Sequence, residues 1–166
     1  WTQAEQHGKW IESAYLSAVQ GDDKELLIKA ESVLNRIIDS QEANGYVGAT
    51  AKSFRSPERP VRGMDAYELY FVFHAFITVY EETGDKKALT AAEKLADYFL
   101  QYFGPGKLEF WPSDLRAPEN NQKHLDGHSD FAGHSVHYSW EGTLLCDPIT
   151  RLYELTGKKK YCLLYT

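Results

Sequence analysis

Four of the six histidines crowd into one stretch, as His124, His128, His134 and His137, with Asp126, Asp130 and Glu141 among or just after them. Imidazoles and carboxylates packed this closely suit three roles. Three or four converging side chains would hold zinc, and His134-x-x-His137 followed by Glu141 has the helical reach for it. Spread along a loop, the same groups would hydrogen-bond a polyhydroxylated ligand or serve the loop's own structure. The H-E-x-x-H pattern of zinc proteases is absent. Trp140-Glu141-Gly142 sets a carboxylate beside an aromatic platform, which makes Glu141 a candidate ligand contact. Glycosidases commonly use two carboxylates, one kept protonated by its surroundings. For the second member, Glu68, Asp65 and Asp114 qualify by residue type alone. No catalytic residue is assigned.

A second group is quieter. His74 stands in the run Tyr67-Glu68-Leu69-Tyr70-Phe71-Val72-Phe73-His74-Ala75-Phe76-Ile77. At roughly 100° per residue, Tyr67, Tyr70 and His74 share one helical face, while Leu69, Val72, Phe73, Phe76 and Tyr80 form another. A lone histidine here is either satisfied in the core by one neighbour or part of a pocket. Imidazole and phenol groups both donate and accept, which suits sugar hydroxyls.

These residues must be positioned by helices. Three segments repeat one plan: an apolar helix, a glycine stop, a charged tight turn, and a second helix. The first runs Trp10–Gln20, turns at Gly21-Asp22-Asp23-Lys24, and continues from Glu25 to Ser40. The second runs Asp65–Thr83, turns at Gly84-Asp85-Lys86-Lys87, and continues to Phe103. The third ends at Leu155-Thr156, turns at Gly157-Lys158-Lys159-Lys160, and leaves only Tyr161 to Thr166. Glycine past a helix end supplies a positive φ, and Asp22 or Asp23, and Asp85, can cap the helix that follows. Links this short make successive helices antiparallel neighbours. Leu27, Ala30, Val33, Leu34, Ile37 and Ile38, and then Ala92, Leu95, Ala96, Phe99 and Leu100, trace single apolar stripes, as outer helices should. The segment from Asp65 is apolar almost all round and reads as an inner helix.

Between the pairs lie two long irregular stretches, Asn44 to Gly63 and Gly104 to Gly133; loops of that length in a compact domain are usually functional or mobile. Pro148 has two readings: first-turn proline after an Asp147 cap, or a kink in a longer helix begun near Val136. The kink is preferred, because Leu144, Leu145, Ile149 and Leu152 keep helical spacing across it. Cys146 and Cys162 are expected to be buried small hydrophobes, with a disulfide left open.

The formal net charge of −6 and the absence of any broad basic cluster argue against a nucleic-acid partner. No apolar run is long enough to cross a membrane. Aromatic residues at 14%, including eleven Tyr and four Trp, suit a large core or a sugar-handling surface. The chain starts at Trp1 rather than Met, so the compartment stays open: periplasmic or extracellular with an upstream signal peptide, otherwise cytoplasmic. Residues 1–166 are expected to form a single, incomplete helical-toroid domain, truncated at both ends.

Several motifs resemble one family. Glu5-Gln6-His7-Gly8-Lys9-Trp10 is similar to the HxGKW opening of the catalytic domain of family 127 glycoside hydrolases. Asp65 to Tyr70, then His74 and Tyr80-Glu81-Glu82-Thr83-Gly84, resembles that family's ELYxxGH…YxxTG helix. Phe73 stands where the family has glycine, a departure expected to narrow the pocket. Leu152 to Gly157 with Lys160-Tyr161 is similar to its later ELYxxTGxxxY helix pair.

The resemblance implies an all-α fold, part of an (α/α)6 barrel of antiparallel helix pairs with long loops. It implies retaining exo-glycosidase chemistry of the β-L-arabinofuranosidase type on plant or glycoprotein glycans. His74, with Tyr67 and Tyr70, would line the sugar pocket; His137, Trp140 and Glu141 would lie beside it, and His7 and Trp10 belong to the same expected substrate-binding set. The family works through a cysteine nucleophile on zinc, whose charge deprotonates the thiol. Neither Cys146 nor Cys162 sits in the motif that supplies it, so zinc is expected in a complete enzyme and this chain alone is expected to be inactive. The alternatives are a non-catalytic sugar-binding relative, another toroid enzyme such as an unsaturated-glucuronyl hydrolase or sugar epimerase, and a helical-repeat scaffold. Against the scaffold, Gly21, Gly84 and Gly157 lie 63 and 73 residues apart, whereas tetratricopeptide repeats recur at about 34. Part of a toroid would expose apolar helix edges, so self-association is expected.

Overall fold

The computed structural model describes residues 3–58, 60–61, 65–108 and 144–162. Among the described residues there are five helices: α1 (Gln3–Gly21), α2 (Lys24–Ser40), α3 (Asp65–Thr83), α4 (Lys86–Tyr102) and α5 (Cys146–Thr156). Single 3-10 turns occupy Lys52–Phe54 and Lys159–Tyr161. The largest interface joins α1 to α3; α2 lies on α1, α4 lies on α3, and α5 packs on the remaining flank of α3. The result is two layers, with α1, α3 and α5 in one and α2 and α4 in the other.

Burial separates the layers as the patterning predicts. Eleven residues of α3 are buried, against only Ala30 and Leu34 in α2. Leu26, Leu27, Val33, Ile37 and Ile38 of α2 are half-buried against the core, and Ile28 faces solvent. In α4 the stripe Ala92, Leu95, Ala96 and Phe99 is buried, with Leu100 partly so. Phe73 is fully buried within the core cluster, one residue before the half-buried His74. One residue step on a helix turns the side chain by about 100°.

The turns follow the expected chemistry with one shift. Asp23 accepts from Leu26 N–H at 3.0 Å and Asp85 from Lys87 N–H at 2.8 Å, caps that contribute about 1 kcal/mol each. Gly84 and Gly157 take φ of 72° and 66°. In the first turn, however, Gly21 remains the last helical residue and Asp22 takes the positive φ, at 49°. Aspartate tolerates this region better than most residues. Helix α1 also begins seven residues before the expected Trp10, at Gln3. Its Ala4 N–H, which has no partner within the helix, is satisfied by Glu68 Oε2 of α3 at 3.2 Å.

Pro148 corrects the sequence reading. Leu144 and Leu145 are turn residues and α5 starts at Cys146, so the proline sits in the first turn and does not kink a helix already under way. Its missing N–H is not needed there. Asp147 is inside the helix rather than at its cap. Both cysteines are free; Cys146 is half-buried and Cys162 exposed, so neither is the buried small hydrophobe expected. Cys162 follows the 3-10 turn, where its thiol donates to Lys159 O at 3.1 Å rather than entering the core. Residues 163–166, expected to open a second helix, lie outside the described residues.

The link from α2 to α3 is irregular but anchored. Tyr46 OH and Thr50 Oγ1 each donate to the Asp65 carboxylate at 3.0 Å. The Arg55 guanidinium lies 3.6 Å from the centre of the Tyr46 ring, donates to Thr50 O at 3.0 Å and pairs with Glu42. Tyr98 of α4 donates to Pro60 O. At Gly45, with φ of 98°, a side chain would collide with the Lys94 carbonyl.

The α1–α3 contact is tight at Gly8, where a Cβ would overlap the Phe71 carbonyl and the Val72 nitrogen. Gly8→Ala is therefore expected to destabilise the chain by about 1–3 kcal/mol. Gly21→Ala, with nothing near its added methyl, should instead be neutral or stabilising by up to about 1 kcal/mol. Urea midpoints of the two variants check this, and equal midpoints would rule out the close approach.

Candidate functional site

The inner helix α3 presents one continuous wall. Tyr70 and His74, one turn apart, hold ring centroids 4.4 Å from each other. Phe71 joins them edge-on, 4.9 Å from Tyr70 and 5.2 Å from Tyr67. The three predicted residues Tyr67, Tyr70 and His74 thus fall on one half-buried surface. At one end, Lys9 of α1 lies 4.2 Å above Phe71 and pairs with Glu5, which also accepts from Tyr67 OH at 3.3 Å. The bond to Glu5 is the main cause that raises the Lys9 pKa. At the other end, Arg151 of α5 contacts His74 Nδ1 at 2.9 Å and pairs with Glu81 of α3. Asp147 Oδ2 lies 2.7 Å from His74 Nε2. Burial first, then the nearby charges of Asp147 and Glu12, push the Tyr70 phenol upward, so it remains a donor.

The sequence reading gave Lys9, Glu81, Asp147 and Arg151 no place in the site. Glu81 is two turns beyond His74 on the same face, a spacing that was available. The partners on α1 and α5 become visible only when the helices pack.

His7 and Trp10 are placed elsewhere. With Gln6, Val33, Arg36 and Ile37 they line a groove of about 600 Å³ between α1 and α2. None of Tyr67, Tyr70 and His74 lines it, and Trp10 is 43% exposed. His137, Trp140 and Glu141, with His124, His128, His134 and Asp114, lie outside the described residues. Among the described residues, no three His, Cys, Asp or Glu side chains are grouped to hold a metal ion. No helix among them is long and apolar enough to cross a membrane.

Two of the carboxylates offered by type are committed to the fold. Asp65 accepts from Tyr46 and Thr50, and Glu68 caps α1; both are buried.

The described helices pack as antiparallel pairs in two layers, with an inner helix that is polar on one face. A sequence profile of the β-L-arabinofuranosidase, GH127 catalytic domain, matches residues 2–111, about two thirds of the chain. The chain belongs to glycoside hydrolase family 127. The non-reducing end β-L-arabinofuranosidase of Bifidobacterium longum subsp. longum is 26% identical over 161 residues, covering 92% of this chain and 20% of that protein. A solved structure described as a GH127 β-arabinofuranosidase superposes with a TM-score of 0.61 at 23% identity, covering 93% of this chain and 22% of that one. The helices are thus part of an (α/α)6 barrel, and the chain spans about a fifth of the length of these two relatives.

Burial, the largest effect, pushes the Glu68 carboxyl above its ordinary value of 4.5; the Ala4 N–H opposes this, and the charges of Asp65 and Glu5 add to it. Glu68 therefore binds its proton more tightly folded than unfolded. Its stabilising contribution is complete below the unfolded value and is lost as pH rises through the raised one. Glu68→Gln keeps an oxygen for Ala4 and removes that loss, so its stability relative to the parent should grow as pH rises. Unfolding free energies measured from roughly pH 4 to 7 check it; parallel profiles for the two proteins would reject it.

Proposed function

We propose that this chain supplies one wall of the sugar pocket of a retaining, β-L-arabinofuranosidase-like exo-glycosidase acting on plant or glycoprotein glycans. The observation that carries the reading is the Tyr70–His74 pair, 4.4 Å apart on the inner helix and flanked by hydrogen-bonding groups. Aromatic faces pack against the C–H faces of a sugar, while phenol and imidazole serve its hydroxyls. Both cations of the wall, Lys9 and Arg151, are paired with carboxylates. That pairing favours a neutral sugar over the uronate an unsaturated-glucuronyl hydrolase would bind. The zinc and cysteine nucleophile of the family are assigned to no described residue. A sugar-binding relative without cleavage is the second reading, supported by the structural use of Asp65 and Glu68 described above.

His74→Ala in the full-length protein is expected to weaken binding of methyl β-L-arabinofuranoside about tenfold, the loss of one good hydrogen bond. Tyr70→Ala should act in the same direction. Calorimetric titration measures both, with the circular dichroism spectrum showing that the helices persist. Unchanged affinity in both variants would remove this wall from the sugar site. Binding without hydrolysis of p-nitrophenyl β-L-arabinofuranoside would select the second reading.

A further inference from the structure

An imidazole in a polar pocket can carry its proton on either nitrogen, and the two forms present opposite hydrogen-bonding faces. The surroundings of His74 decide between them. Its Nδ1 lies 2.9 Å from Arg151 Nη1. A guanidinium has donors only, so Nδ1 must accept, and the ring proton resides on Nε2. That nitrogen is buried, and Asp147 Oδ2 stands 2.7 Å away without the alignment of a hydrogen bond. The Asp147 side chain is 58% exposed, so it is the movable partner of the pair.

Arg151 is held on its other side. Its Nη2 pairs with Glu81, two turns after His74 on α3. The guanidinium therefore bridges two side chains of one helix from a neighbouring helix, and Asp147 and Arg151 lie one turn apart on α5. The whole arrangement spans the α3–α5 contact.

We propose that Arg151 is a positioning residue that fixes the proton of His74 on Nε2 and so makes this histidine a hydrogen-bond donor. Asp147 Oδ2 stands opposite that donor. A ligand hydroxyl that displaces Asp147 meets an N–H and accepts from it through its oxygen, a role for a neutral sugar hydroxyl that rests on the function proposed above. The proton's location does not depend on that function.

The test is long-range proton–nitrogen correlation spectroscopy on the 15N-labelled full-length protein, first without sugar. The His74 signals are identified by their loss in His74→Gln. The expected wild-type pattern has a protonated Nε2 and a hydrogen-bonded, unprotonated Nδ1. Arg151→Met should move the Nδ1 resonance to that of an unbonded acceptor and populate the Nδ1-protonated form. Arg151→Lys, which can still donate, should keep the wild-type pattern. A merely structural role for Arg151 would leave the ring's protonation pattern unmoved. The proposal is overturned if wild-type His74 carries its proton on Nδ1, or if Arg151→Met leaves both nitrogen resonances in place. Should the Met variant fail to fold, the wild-type pattern and its retention in Arg151→Lys decide. Adding methyl β-L-arabinofuranoside afterwards tests the sugar role separately: no shift of the His74 signals rejects that role alone. Where the sugar binds, Arg151→Met is expected to weaken it about tenfold.

Discussion

The arrangement depends on how closely α1 and α3 approach. At Gly8 the α3 backbone fills the place a side chain would occupy, which sets the spacing of the two inner helices. Everything at their interface follows from that distance. Glu68 reaches the first turn of α1, Tyr67 reaches Glu5, and Thr78 donates to Glu12 at 2.9 Å. A wider separation would break these polar contacts together, leaving buried groups without partners at a cost of about 1–3 kcal/mol each.

That constraint explains how an inner helix can be both buried and polar. Asp65, Glu68 and Thr78 are buried on α3, a burden that apolar packing alone would not offset. Asp65 is satisfied from the α2–α3 link, and Glu68 and Thr78 from α1. Asp65 takes two hydroxyls, Glu68 takes a helix N–H, and Thr78 finds a carboxylate. The polar residues therefore specify the order of packing as well as tolerate it. Tyr46 binds the link to the start of α3, and Arg55, stacked on Tyr46, ties the far side of that link back to Glu42 beyond the end of α2.

What could be read from the sequence was what local physics decides. The bounds of α3, the caps at Asp23 and Asp85, and the stripes of α2 and α4 all express helical periodicity or turn chemistry within a few residues. The same holds for the shared face of Tyr67, Tyr70 and His74. What escaped depends on contacts between distant segments. Nothing near Gln3 announces a helix start, because the group that caps it is Glu68, 64 residues away. Asp22 takes the left-handed conformation although a glycine stands beside it. Pro148 shows spacing misleading on its own: the apolar positions around it keep helical intervals, yet the helix begins only two residues before it. His7 and Trp10 belong to a family-like motif but meet α2 rather than the His74 wall, since the motif fixes residue types and the packing fixes their direction.

On the function proposed above, the wall shows how a toroid of hairpins can suit ligand binding. Short links hold α2 and α4 on the outside, where their charged faces meet solvent, so the inner helices are free to carry unusual side chains. An inner helix has neighbours on two flanks and an outer helix behind it; only its remaining face escapes packing. On α3 that face carries Tyr67, Tyr70 and His74, with Lys9 supplied by the neighbour on one flank and Arg151 by the neighbour on the other. The site is thus divided among three inner helices, and its geometry is as rigid as their packing. Side chains on one helix supply the aromatic surface, and the flanking helices set the charges and the hydrogen-bonding direction. Sequence variation on α1 or α5 can then retune the wall without disturbing the helix that bears it, because Lys9, Asp147 and Arg151 lie outside the fully buried core.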